Sequence, residues 1–436
     1  MLRDEQEISD RRALVDTAAR RIRRRRGLII TAIVIAVLLA VTGGYTGWAL
    51  NAPVSAPAVT SHEPPVPVGA AASVTLPSHG ASALAVSGGD EYLGAGAGGI
   101  WVTGGDGGPR PIASITKLIT ALVILDAKPL ADASDPGPTI TFSKADHDLY
   151  DTYYVMGATI AAMPTGSSMS LHDALATMLI PSASNYADAV STWAFGSRSA
   201  FVNAARRWLD ANGLTGTTIV EPTGISPRNT STPTDLLALG KLAAAHPAIA
   251  HIVAMRSLSL PGPGAMVNTN DLLGTGGITG LKTGNLGEGT YSLLYTATLD
   301  VGAARPLSVT GVMLGGSSRQ SVDRDVMAVL DSIRAGFHEV PVAARGQEVG
   351  SYTTAWGSEA RMIVSEDASI FTWSDTPIAV TMTTSTPKTY QDGEVVGSIT
   401  WTAGPHTTTV PVEVEGSITP PTARWRLTHP AELGAG

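Results

Sequence analysis

Apolar positions follow one another without a charge from Leu28 to Leu50, "LIITAIVIAVLLAVTGGYTGWAL", a run long enough to cross a bilayer as one helix. "RRIRRRR" (20–26) directly precedes it, Tyr45 and Trp48 mark its far end, and proline follows. This order predicts a cytoplasmic Arg-rich tail over 1–27 and a retained membrane helix over 28–50, with the rest of the chain outside the membrane. A cleaved signal peptide begins with the same charge-then-apolar order. The span is long for that role, however, and its small-residue sites "LNA" and "VSA" are each followed by proline, Pro53 and Pro57. Residues 51–81 are rich in Pro and Ala and predict an extended tether of about 3 Å per residue.

Past the tether the hydrophobic period changes. "SITKLITALVILDA" is apolar nearly all round and predicts a buried central helix. "LHDALATMLIPSASNYADAVSTWA" (171–194) reads as helix, break at Pro181, helix. "SRSAFVNAARRWLDANG" (197–213) predicts an amphipathic helix stopped by Gly213. Two β-rich runs, 291–300 and 306–316, have the pattern of antiparallel neighbours, and 323–337 supplies a helix to cover them. Helices on an antiparallel sheet make an α+β domain, expected over 82–340. Over 341–425 the helix signal vanishes, and short Thr/Val-rich runs such as "PIAVTMTTS" and "HTTTVPVEVEG" predict a small all-β sandwich. Residues 426–436 remain as a tail.

Composition narrows the chemistry. At 436 residues the chain exceeds one core, and 44% hydrophobic against 15% charged residues argues against disorder throughout. A net charge of −8 gives no reason to propose nucleic acid. The absence of cysteine removes disulfides, thiolate nucleophiles and cysteine metal sites together. None of the nine histidines forms a ligand pair, so no metal and no cofactor is expected.

Three polar clusters stand out. Ser114 and Lys117 in "PIASITKLITALVIL" lie one helical turn apart on one face. Apolar neighbours Ile115 and Leu118 would desolvate the lysine, lowering its pKa so that it can accept the serine proton. A second Ser-x-x-Lys, Ser385 to Lys388, contains Pro387 in strand-like surroundings and offers no helix to hold the pair. Serine near a helix start is also a common cap, so Ser114 alone is ambiguous. The same holds for Ser182 in "IPSASNYA", where Ser184 and Asn185 follow. In "GLKTGNLGEGT", Lys282 and Thr283 precede Gly284. A cation and a hydroxyl beside a glycine that permits close approach suit recognition of a carboxylate.

Taken in order, Ser-x-x-Lys, a Ser-rich break and Lys-Thr-Gly resemble the serine D,D-carboxypeptidases, the low-molecular-mass penicillin-binding proteins, which share this trio with class A β-lactamases. "FVNAARRWLDANGLTGTTIVEPTGIS", "TDLLALGKLA" and "DGEVVGSITW" extend the likeness over about 82–425. The resemblance implies a penicillin-binding/serine β-lactamase-like transpeptidase domain followed by a C-terminal β-domain. It implies Ser114 as nucleophile, Lys117 as base and Ser182 as proton relay. By the same likeness Ser184, Asn185, Lys282, Thr283 and Gly284 hold the substrate, and the backbone N–H groups of Ser114 and Asn285 form the oxyanion hole. The implied substrate is a peptidoglycan stem peptide ending in D-Ala-D-Ala, with β-lactams as inhibitors and the N-terminal helix as membrane anchor.

The second motif departs from the family's Ser-x-Asn: Ser184 occupies the amide position and Asn185 comes one residue late, rotated by about 100° on a helix. A class A β-lactamase would need a deacylating carboxylate, for which Glu221 in "EPTGIS" is the candidate. A wall-binding protein with weakened catalysis is the alternative of a different class. Relatives often carry a C-terminal amphipathic helix, whereas "RWRLTHPAELGAG" has too few apolar positions to hold a membrane.

Overall fold

The computed structural model describes residues 2–69 and 71–434, with backbone alone for residues 2–8, 10 and 12–14. Met1, Ala70, Ala435 and Gly436, which belong to the expected tails and tether, lie outside the described residues.

The larger body is built on a five-stranded antiparallel sheet. From edge to edge it runs Ile278–Gly284, Tyr291–Leu299, Leu307–Gly316, Ala81–Ser87, Val102–Gly105. Alternation along the second strand divides two cores, because successive side chains leave a strand on opposite faces. Leu293, Tyr295, Ala297 and Leu299 face the helix Arg319–Gly336 through its Val322, Val326, Val329, Leu330 and Ile333. Leu294, with Leu281 and Val312, faces the helical layer, where the expected central helix Thr116–Ala127 lies buried.

Helix boundaries follow their caps. The covering helix starts at Arg319, four residues before the expected Asp323, because Ser318 and Ser321 form a reciprocal capping box. The 171–194 pattern resolves into Leu171–Leu179 and Ser184–Phe195, with Ser182 between them at φ +69°. Ser197 caps Arg198–Ala211.

The C-terminal part is all β. A six-stranded sheet orders Ala58–Ser61, Glu348–Thr353, Glu359–Val364, His406–Glu415, Val395–Ala403 and Ile378–Thr384. With the hairpin-like pair Phe337–Ala343 and Ala368–Trp373 it encloses a core around the fully buried Trp401. The first of these strands starts at Phe337, directly after the covering helix and ahead of residue 341. Phe337 packs edge-on against Tyr92 and Trp373, and Trp101 against Trp373, so aromatic rings weld the β-domain to the larger body.

The Pro/Ala-rich segment is not a free tether. Its residues Ala58–Ser61 pair in register with Thr353–Gly350 as an edge strand, and the Thr75 N–H donates to Ser332 Oγ at 3.0 Å. Proline-rich composition suggested solvated chain; the open edge of a neighbouring sheet captured it instead. Ahead of it a single helix, Leu2–Asn51, carries the apolar run exposed along most of its length, with Ala49 buried near its end.

Leu330 lies at 0% exposure between sheet and covering helix. Leu330→Ala is expected to lower stability by about 2–5 kcal/mol, read as a reduced urea midpoint at unchanged slope.

Candidate active site

The chain brings the three polar clusters to one cleft of about 670 Å³, lined among others by Ser114, Ser182, Ser184, Gly224, Thr283, Gly284, Asn285 and Arg319. Ser114 sits in a 3₁₀ turn, Ala113–Ile115, that leads into the central helix. It caps nothing. Lys117 Nζ donates to Ser114 Oγ at 2.9 Å and to the Thr223 carbonyl at 2.7 Å. The lysine is wholly buried, and that desolvation pulls its pKa down to about 7, opposed by the charge of Glu221.

Close backbone approach holds this arrangement. Ala113, just before the serine, is held at φ +47°. Gly224 lies at φ +87°, where a Cβ would stand 1.9 Å from the Ala113 carbonyl oxygen. A Cβ on Gly284 would meet the Ile112 carbonyl oxygen at 2.8 Å and Ser114 N at 3.3 Å. Only glycine lets the Thr223 loop and the Lys282 strand close on the Ser114 turn from both sides.

Glu221 makes the loop. Its carboxylate accepts from Thr223 N and Oγ1 at 2.7 and 2.6 Å, from Gly224 N at 2.7 Å and from Asn229 Nδ2 at 2.9 Å. Both its oxygens are thus engaged within the loop that presents the Thr223 carbonyl to Lys117.

The second motif also lacks a cap: the helix Ser184–Phe195 has Ala183 at its N-cap with no side-chain bond, which leaves the Ser182 hydroxyl at the cleft. Asn185, expected at the cleft with Ser184, does not line it. Its amide exchanges hydrogen bonds with the backbone of Ala161, Nδ2 to O at 2.8 Å and N to Oδ1 at 3.1 Å, at 0% exposure. The turn of the helix that carries Asn185 away from the cleft leaves Ser184 facing it. Ser184 N, Asn185 and the Tyr186 hydroxyl together stitch the segment 159–162 to this helix.

Lys282 Nζ donates to Thr269 Oγ1 and the Thr283 carbonyl, each at 3.3 Å, and the Thr269 and Thr283 hydroxyls lie 2.6 Å apart. Burial, Lys117 and Arg319 together hold the Lys282 pKa well below that of a free lysine.

The sequence profile of the family described as D-alanyl-D-alanine carboxypeptidase (peptidase S11) matches residues 96–312. The chain belongs to the serine D-alanyl-D-alanine carboxypeptidase family. A D-alanyl-D-alanine endopeptidase of Pseudomonas aeruginosa is 31% identical over 197 residues, which is 44% of this chain and 60% of that relative. Penicillin binding protein 6B of Escherichia coli superposes with a TM-score of 0.53 at 19% identity, over 80% of this chain and 99% of its own. Penicillin binding protein 5 of Haemophilus influenzae gives 0.51 at 16% identity, over 80% and 98%. The fold is therefore that of the penicillin-binding proteins, a mixed helix-and-sheet body with the all-β domain behind it.

Two residues of this family member escaped the sequence reading. Arg319 lines the cleft beside Thr283, bonded to the Thr269 carbonyl and 3.6 Å from Asp271. It stands outside every motif, and its position at the start of the covering helix is visible only after folding. Thr269 comes from an irregular segment with no pattern to flag it.

Because the Glu221 charge raises the Lys117 pKa and burial lowers it, Glu221→Gln is expected to move the Lys117 titration below about 7. ¹³C NMR of ε-labelled lysine reads this directly; an unmoved titration would refute the coupling. Gly284→Ala is expected to slow acylation of Ser114 on the order of 10²-fold by displacing the strand, with the far-UV circular dichroism unchanged.

Proposed function

We propose that this protein is a D-alanyl-D-alanine carboxypeptidase that trims the terminal D-Ala from peptidoglycan stem peptides through an acyl-serine intermediate, and that penicillins acylate it. The observation carrying this reading is the 2.9 Å Lys117–Ser114 pair, with the lysine buried and its pKa near neutrality, in the cleft that ends at the Lys-Thr-Gly strand. A neutral Lys117 takes the proton of Ser114 as Oγ bonds to the carbonyl carbon. The Ser114 and Asn285 N–H groups receive the oxyanion. Ser182 relays that proton from Lys117 to the leaving amine, the C–N bond breaks, and D-Ala departs; water, giving its proton back to Ser114 through Lys117, then releases the shortened peptide from the serine. Lys282 and Thr283 supply hydrogen-bond donors and Arg319 the cation for the terminal carboxylate. The strand Ile278–Gly284 forms one edge of its sheet and can accept the peptide as an added strand.

Ser184 offers a single hydroxyl where the family's second motif usually has an amide, which supports a slower or more selective enzyme. The β-lactamase alternative is less well supported, because Glu221 spends its oxygens on Thr223, Gly224 and Asn229 and does not line the cleft. A binding protein without chemistry has no need of a buried lysine against a serine. The exposed apolar helix, preceded by arginines, supports a single-pass anchor with the N-terminus cytoplasmic and the catalytic body outside.

Incubation with benzylpenicillin is expected to give a stable adduct by intact-protein mass spectrometry, absent in Ser114→Ala. The acylation rate is expected to rise with pH through about 7, since the base must be neutral to work. Unaltered, fully hydrolysed or pH-independent drug handling would each count against the reading. Ser184→Asn is expected to acylate faster, on the order of tenfold for a regained hydrogen bond of about 1.4 kcal/mol.

A further inference from the structure

The C-terminal tail turns back onto the end of the apolar helix. The short helix Ala423–Thr428 runs beside it, and the Tyr45 hydroxyl donates to the Leu427 carbonyl at 2.8 Å. Arg426 Nη1 donates to the Ala52 carbonyl at 2.7 Å and to that of Ala49 at 3.4 Å. These are carbonyls at the end of the long helix, with no partner further along it, and a guanidinium there also answers the negative end of the helix dipole. Ala49, Ala52 and Leu433 are buried together, with Val54, Trp425 and Leu427 packed on them. Val54 and Leu433 form an antiparallel bridge, and the Gly434 N–H closes it on the Pro53 carbonyl at 2.9 Å. On its other side Trp425 packs edge-on against Trp356 of the β-domain, whose indole N–H donates to the Thr419 carbonyl at 2.6 Å.

The depth of this joint identifies what it faces. A hydrocarbon layer of about 30 Å entered at Leu28 takes about 20 residues of helix and ends near Gly47. Tyr45 lies within that depth, about 9 Å down the axis from Asn51. The Leu427 carbonyl therefore meets the helix at the boundary of the apolar layer, where Tyr and Trp side chains are favoured. Tyr45 and Trp48 keep 37% and 47% of their surface open there, and Arg424 and Thr428 are exposed on the tail helix beside them.

We infer that the tail and the last two turns of the anchor form one interfacial shelf that seats on the lipid headgroup layer, and that this joint holds the catalytic body at a set height above the bilayer. The tail does not anchor the protein; it converts the anchor's exit from a swivel into a fixed mount. The inference rests on the membrane-spanning reading of the helix.

The absence of native cysteine lets spin labels be placed without background. The full chain is reconstituted in phosphatidylethanolamine/phosphatidylglycerol vesicles. Labels on Asn51→Cys with Glu432→Cys are expected to give a narrow interspin distance distribution that Arg426→Ala broadens. A broad distribution in the parent pair overturns the joint. A label on Thr428→Cys is expected to show headgroup-level accessibility, between that of oxygen-rich lipid and of water-borne nickel complex. A water-like value there overturns the shelf. A label on Val34→Cys separates the two readings: if it is lipid-buried while Thr428 is water-exposed, the anchor stands and the shelf fails; if it too is water-exposed, both fail. Binding of a fluorescent penicillin by each labelled chain verifies that the catalytic body is folded.

Discussion

Everything in the cleft depends on keeping an amine dry. Lys117 is buried without a carboxylate in direct contact, held by a serine hydroxyl and one backbone carbonyl. A buried ammonium in such surroundings is costly, and the group responds by titrating near neutrality. The helical layer supplies the apolar walls, the Thr223 loop supplies the acceptor, and Glu221 supplies a charge near enough to temper the shift without forming an ion pair. The two close glycine approaches, at Gly224 and Gly284, press the loop and the edge strand onto the Ser114 turn.

Backbone strain is concentrated in the same place. Ala113 and Ser182 are two of the three non-glycine residues at positive φ among those described, and both belong to motif segments. Such conformations cost of order 1–3 kcal/mol each and persist where surrounding structure over-determines them. At Ser182 the effect is to break one helix from the next and present a hydroxyl to the cleft. Ala113 sits in the turn that packs against the Lys-Thr-Gly strand, where Ser114 N would stand 3.3 Å from a Cβ on Gly284.

Much of this was legible in the sequence because it is local or periodic. The Ser-x-x-Lys spacing, the apolar central helix, the alternating strands and the late, rotated Asn185 all follow from side-chain period alone. What was not legible depends on chain segments meeting from afar. Arg319 and Thr269 reach the cleft from a helix start and an irregular segment, and no spacing links either to Lys282. Capping by Ser318 moved the covering helix earlier because the apolar period begins only after its first turn. The Pro/Ala-rich segment looked like solvated tether since its partner, an open sheet edge some 290 residues away, leaves no mark on its own composition.

The covering helix has a property that its burial alone does not express. Arg319 begins it at the cleft, and Gly336 ends it against the ring of Trp373, where a Cβ would stand 2.2 Å from the nearest ring carbon. The helix is 18 residues long, about 27 Å, and runs as a strut from the proposed carboxylate site to the aromatic weld. A strut of that kind makes the two domains mechanically one object: a tilt imposed on the β-sandwich has no hinge in which to dissipate before it reaches the guanidinium. Grafting a foreign β-domain onto this catalytic body would therefore have to reproduce the depth and angle of the Trp373 seat, or else re-aim an arginine at the opposite end of the helix.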